Sequence, residues 1–165
     1  LKKDKILCAK FRKGHFEGVL DVMNRLTKIV NPQKIFMGEK DFQQLYLVKK
    51  LLERNYKVKI ISCKTVRDKN KVALSSRNFL LDKSNLNIAA NVYKKIVNIK
   101  KNIKYKKNIL NFLNLKKNEL KKYFKIKIDY LELRNINNLN ISKTKKNSRL
   151  FVAYYLNKVR LIDNI

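Results

Sequence analysis

Lys34-Ile35-Phe36-Met37-Gly38-Glu39-Lys40-Asp41-Phe42-Gln43-Gln44-Leu45 carries the reading of the fold. A short apolar run ends at a glycine, the pattern of a strand buried on both faces. Beyond it Phe42, Leu45, Val48, Leu51 and Leu52 recur at helical spacing up to Asn55, with Asp41 placed to cap the helix. Upstream, apolar residues at 16, 19, 20, 23, 26, 29 and 30 predict a helix that Asn31-Pro32 stops. Downstream, Val58, Ile60 and Ile61 within 57–62 predict a second strand. Helix, strand, helix, strand with short connections is the order of a parallel α/β sheet, which binds ligands at its strand ends.

The period fails over 65–76, where charged and small residues alternate, so an exposed loop or linker is expected there, with a domain boundary between 1–65 and 66–165. Two lysine-coated helices follow at 82–103 and 108–124, the first with Ser84 as a possible cap. Runs rich in Ile, Val, Tyr and Phe at 125–134, 149–156 and 158–162 predict three strands, the last two joined by a hairpin at Asn157-Lys158. The polar, Asn- and Lys-rich segment 135–148 reads as a long loop or disordered insert. No internal repeat is found.

The chain has 165 residues, 45% hydrophobic and 32% charged, enough for one domain or two small ones with real cores. Its 41 Lys and Arg against 12 Asp and Glu give a formal charge of +29, which raises nucleic acid or an anionic membrane as a partner. Only eight of those cations are arginine, and they are spread along the whole chain, so compositional bias explains the excess better than a nucleic-acid footprint. A lysine-rich nucleic-acid-binding module, with 82–124 as its basic face, is the alternative reading. Cys8 and Cys63 form no CxxC pair, and with a single histidine they support neither a zinc site nor a disulfide framework, which fits a reducing cytoplasm. The apolar runs fall short of the ~20 residues that span a bilayer, so no membrane partner is expected. Residues 1–5 lack the apolar core of a secretory signal, and a start at Leu1 suggests part of something longer.

Three clusters could carry chemistry. At Gly38-Glu39-Lys40-Asp41 a strand turns into a helix, where free amides and the Lys40 ammonium favour an anion, and Gln43 and Gln44 offer amides to a hydroxyl or carboxylate. An ordinary capped turn is the other reading. Ser75-Ser76-Arg77-Asn78 sets two hydroxyls beside a guanidinium, a receiver for phosphate or, more plainly, a surface turn capping the next helix. In Lys13-Gly14-His15-Phe16-Glu17-Gly18 the lone imidazole has no evident Asp or Ser partner; it could orient a nucleotide or cap the helix, and the structural duty suits it better. No nucleophile-elbow pattern is present.

Taken in order, Gly14-His15-Phe16-Glu17-Gly18-Val19, Phe36 to Leu45, Val66-Arg67, Ala73-Leu74-Ser75-Ser76-Arg77-Asn78 and Arg160-Leu161-Ile162-Asp163-Asn164 closely resemble the pantoate beta-alanine ligases, nearly end to end. The resemblance implies the C-terminal half of a Rossmann-like nucleotidyltransferase domain, then a small α+β domain with a three-stranded antiparallel sheet, helices and the flexible phosphate loop. It implies an enzyme that joins pantoate to beta-alanine through a pantoyl adenylate, consuming ATP with Mg2+ assisting and releasing pyrophosphate and AMP. Gly38, Glu39, Lys40, Asp41, Val66, Leu74, Ser75, Ser76 and Arg77 are implied on the ATP side, with Lys40, Ser75, Ser76 and Arg77 catalytic. Gln44, Val19 and Val22 are implied on the pantoate side, with no protein ligand to a metal in this stretch. A homodimer through the nucleotide domain is implied for the full-length protein.

The departures are specific. The family's leading half, with its His-x-Gly-His motif, another pantoate glutamine and the acidic magnesium-side residues, is missing from this sequence, so the 165 residues alone are expected to be inactive. Asn70-Lys71-Val72 stands where the family carries an acidic residue, glycine and leucine, and Leu74 stands for its usual methionine. Loss of that glycine is expected to stiffen the loop or alter its closure.

Overall fold

The computed structural model describes residues 5–165, so most of the stretch read for a signal lies outside the described residues. The chain divides into two compact units, Leu1–Thr65 and Val66–Ile165.

In the first unit a short helix α1 (Leu7–Phe11) precedes α2 (His15–Val30), β1 (Lys34–Gly38), α3 (Phe42–Asn55) and β2 (Lys59–Cys63). β1 and β2 pair in parallel, Lys34 opposite Lys59 and Gly38 opposite Cys63, so α3 is the crossover that parallel pairing requires. Leu45, Val48 and Leu52 on one face of α3 meet Val58 and Ile60, and Val19, Leu20 and Met23 of α2 pack against the same cluster. β1 is not buried on both faces as its apolar run predicts. Exposure alternates along it, Ile35 and Met37 packing inward while Phe36 is 67% exposed, because this two-stranded sheet is covered on one face only among the described residues. Asp41 also departs from expectation: a 3-10 turn, Glu39–Asp41, leads into α3 and the Asp41 carboxylate makes no cap bond.

The second unit holds α4 (Lys83–Asn102), α5 (Ile109–Phe124), β3 (Lys127–Asn135), β4 (Ser148–Leu156) and β5 (Val159–Asn164). The strands form an antiparallel sheet in the order β3-β4-β5, closed between the last two at Asn157-Lys158, where Asn157 takes a φ of 52°. Leu150, Val152, Tyr154 and Leu156 of β4 join Ala89, Val92, Ile96 and Leu113 of the helices in one core. The α4 cap is Asp82 rather than Ser84: its carboxylate accepts from the Asn85 amide at 2.7 Å.

Neither segment expected to be irregular is loose. In 135–148, Leu139 is fully buried and its carbonyl accepts from the Arg134 guanidinium at 2.6 Å, while the Asn135 and Asn138 side chains accept amides two residues on. In 65–76, Arg67 bridges to Ala73, and the Asp68 carboxylate accepts from the amides of Asn70 and Val72 at 2.8 and 2.9 Å. Lys71, at the position of the family's usual glycine, sits at a φ of 68°, so the turn keeps a left-handed residue at the cost of a Cβ clash. Lys71→Gly should therefore raise stability by ~0.5–1 kcal/mol in urea unfolding; a clear fall would show the lysine to be the better fit.

Candidate active site

β1 delivers the backbone to Gly38, which is extended, with φ −71° and ψ 134°. Its glycine is not demanded by conformation. What it leaves is room, since a Cβ built there meets nothing within 4 Å, and a ligand can lie against the chain at that point. The 3-10 turn then sets the half-buried Glu39 and Lys40 and the exposed Asp41 beside the first amides of α3, a locally positive end.

The two glutamines part company. Gln43 is 5% exposed and committed to structure: its Oε1 accepts from the Cys8 amide and its Nε2 donates to the Ile6 carbonyl, both at 3.0 Å. It therefore offers nothing to a ligand, contrary to the reading that paired it with Gln44. Gln44 is half-buried and carries no such tie among the described residues. On α2, Val19 packs on the α3 cluster and Val22, one turn on, is 52% exposed. His15 opens α2 behind Gly14, which holds the N-cap position with a φ of 73°, and its ring lies 5.0 Å from that of Phe16.

In the second unit Ser75, Ser76 and Arg77 begin a 3-10 turn, Ser76–Leu80, that Ser75 caps by accepting from the Arg77 amide at 3.2 Å. Ser75 thus caps its own 3-10 turn rather than the next helix, whose cap is Asp82, and the Ser76 side is left exposed. The Arg77 guanidinium donates to the Arg160 carbonyl at 3.1 Å. Val66 and Leu74, 67% and 51% exposed, are joined through the Leu74 amide and the Val66 carbonyl at 3.0 Å. Asn78 holds the arm's underside by donating to the Ala73 carbonyl at 3.2 Å.

Two ion pairs here were not legible in sequence. Arg67 meets Asp163 through two hydrogen bonds of 2.7 and 2.8 Å and lies over the Tyr93 ring, 4.4 Å from its centre. Burial works against the Arg67 charge, but the bond and charge of Asp163 outweigh it and raise the guanidinium pKa further. Burial likewise pushes the Tyr154 phenol up, with the Asp163 charge adding to it. Arg160 pairs with Asp129 at 2.8 Å. Arg67, Arg160 and Asp163 stand inside motifs already singled out and Asp129 does not, and nothing local signals pairing across 96 or 31 positions.

The residues present do not make a magnesium cage: no group of three or more His, Cys, Asp or Glu among the described residues could hold a metal ion. No helix of the described residues is long and apolar enough to cross a membrane.

Comparison with known proteins bears on these clusters together. The family described as Pantoate-beta-alanine ligase matches residues 2–165. The chain is 36% identical over 167 residues to a pantothenate synthetase of Cytophaga hutchinsonii, covering 98% of this chain and 59% of that protein. It is 39% identical over 168 residues to one of Endomicrobium trichonymphae, covering 97% and 57%. Among solved structures, pantothenate synthetase from Thermus thermophilus aligns with a TM-score of 0.88 at 28% identity, over 99% of this chain and 60% of that one. The pantoate-beta-alanine ligase of Francisella tularensis, complexed with beta-gamma ATP and beta-alanine, aligns at 0.74 and 34% identity, over 100% and 55%. The chain thus spans under two thirds of the length of these relatives. With the family match running over nearly every residue, and the strand-turn-helix and Ser-Ser-Arg clusters both inside it, the chain belongs to the pantoate-beta-alanine ligase family.

Proposed function

We propose that this chain supplies part of the active site of an ATP-dependent ligase that condenses pantoate with beta-alanine to pantothenate by way of pantoyl adenylate. The family match over 2–165 carries the reading, and the Francisella tularensis relative complexed with beta-gamma ATP and beta-alanine supports its choice of ligands.

In this reading Gly38 is where the nucleotide lies against the backbone, and Glu39, Lys40 and Asp41 form the turn around it. A pantoate carboxylate oxygen attacks the α-phosphorus of ATP and the bond to pyrophosphate breaks. Negative charge grows on the departing phosphates, and the Lys40 ammonium and Arg77 guanidinium are the groups of this chain that offset it, with Ser75 and Ser76 donating hydrogen bonds. The amine of beta-alanine then attacks the acyl carbon, AMP leaves, and no covalent bond to the protein is needed. Gln44 holds pantoate polar atoms and Val19 and Val22 its apolar side. Val66 and Leu74 flank the phosphate loop. Magnesium would come in with the nucleotide, since no cluster of its ligands is found among the described residues. The working protein is a homodimer of chains longer than this one, acting in the cytoplasm.

AMP release with ATP, pantoate and beta-alanine tests the proposal. The 165 residues alone should show no turnover above background, and the chain extended at its amino end with the leading segment of the Cytophaga hutchinsonii relative should turn over. Turnover that ignores pantoate would defeat the reading, and turnover by the 165 residues alone would show that they hold a sufficient site. In the extended chain Gln44→Ala should raise the pantoate KM about tenfold, from loss of a partly buried hydrogen bond to a charged ligand, with the ATP KM little changed. An unaltered pantoate KM and rate would remove Gln44 from the pocket.

A further inference from the structure

We propose that Arg67 and Asp163 are positioning residues for the phosphate-binding arm: together they fix the entry of the segment 67–77 to β5, while the Arg77 end stays releasable. The inference rests on the reading of Ser75, Ser76 and Arg77 as phosphate contacts.

Both ends of the segment are tied to the last strand. At the entry, Arg67 Nη1 and Nη2 meet the two Asp163 oxygens at 2.7 and 2.8 Å. At the exit, Arg77 Nη1 donates to the Arg160 carbonyl at 3.1 Å. One extended strand therefore sets the spacing between where the arm begins and where its cationic tip rests.

The two ties differ in kind. The first is a bidentate ion pair whose side chains are only 16% and 12% exposed, a geometry that holds better than a surface pair. The Asp163 carboxylate is itself oriented by accepting from the Asn164 amide at 2.7 Å, and Arg67 Nη1 donates again to the Lys71 carbonyl at 3.1 Å. Three donors of the Arg67 guanidinium are thus engaged by the fold, and it is a brace rather than a phosphate ligand. The second tie is one bond to a neutral carbonyl, so Arg77 can leave it for an anion without stranding a buried carboxylate. Between them the Asp68 turn and the bond from the Leu74 amide to the Val66 carbonyl keep the arm in one shape. Placement on this scale matters, since a shift of about 1 Å at reacting groups can cost a hundredfold in rate.

Amide NMR of the 165-residue chain, titrated with inorganic tripolyphosphate at physiological ionic strength, provides the test. In the wild type the amides of Ser75, Ser76 and Arg77 should shift on titration. Asp163→Asn should weaken that binding about tenfold and speed hydrogen exchange at the Asp68 and Leu74 amides by a similar factor, leaving the amides of β3 and β4 unchanged. Arg67→Lys, which keeps the charge but loses the fork, should act in the same direction and decides the matter if Asp163→Asn does not fold. Glu132→Gln, which breaks a different partly buried pair with Arg134, should leave the arm unaffected. Wild-type binding at the arm that neither variant weakens, with exchange unchanged, would overturn the proposal. A wild type whose Ser75–Arg77 amides do not respond at all would instead refute the phosphate assignment, and the inference would fall with it.

Discussion

Replacing Lys40 by alanine is expected to slow pyrophosphate release about 100-fold or more in the extended, active chain, the magnitude seen when a preorganised electrostatic donor is removed. The residue sits in a short 3-10 turn between β1 and α3, half-buried, where the positive end of α3 and the open side of Gly38 meet. On the proposed function an ammonium held there acts on charge that develops as the phosphates depart, so its loss should fall on kcat more than on the pantoate KM. Lys40→Arg should recover part of the rate, since it restores the charge but not the compact ammonium shape. Unchanged pyrophosphate release in Lys40→Ala would take the residue out of the chemistry.

Leu52→Ala is expected to cost ~3–4 kcal/mol of stability, the range for emptying a fully buried leucine site. Leu52 is 0% exposed and belongs to one small cluster with Leu45, Val48, Val58 and Ile60, on which Val19, Leu20 and Met23 of α2 pack. Because α3 carries the Lys40 turn at one end and Leu52 near the other, the loss should reach the site as weaker ligand binding even where the chain stays folded. Leu26→Ala on α2 removes the same atoms from a side chain 51% exposed, and should cost less than ~1 kcal/mol. Urea unfolding of the two variants checks both; equal losses would mean that the α3 core does not hold this unit together.

Much of the fold was legible because periodicity reports burial. The stripe of α3 is buried where expected, but that of α2 only in its first half: Phe16 is buried and Val19, Leu20 and Met23 pack inward, while Leu26, Ile29 and Val30 are 51%, 79% and 67% exposed. The three carboxyl-terminal strands differ from expectation by a residue or two at their ends. β1 misled because an apolar run signals burial only when a partner covers each face, and Phe36 has none among the described residues. Asp41 and Ser84 misled in different ways: Asp41 stands at the N-cap position of α3 but its carboxylate makes no cap bond, and Asp82 took the role of Ser84. The loops at 65–76 and 135–148 looked loose because their order comes from side-chain-to-backbone bonds of Asp68, Asn135 and Asn138 and from left-handed residues such as Lys71 and Asn147, none of which has a period.

At the site, Gly38, Lys40, Gln44 and the Ser75-Ser76-Arg77 run could be found as residue types suited to an anion. That Gln43 is sealed into the fold and Arg67 braced by Asp163 could not, because each depends on a partner far away in sequence.

The central claim is that pantoate is activated on ATP before any amine is needed. Isotope exchange of labelled pyrophosphate into ATP by the extended chain, with beta-alanine left out, tests it most directly. Exchange that appears only when pantoate is added, and that Lys40→Ala suppresses, is the expected result. Exchange without pantoate, or none until beta-alanine is supplied, would contradict it.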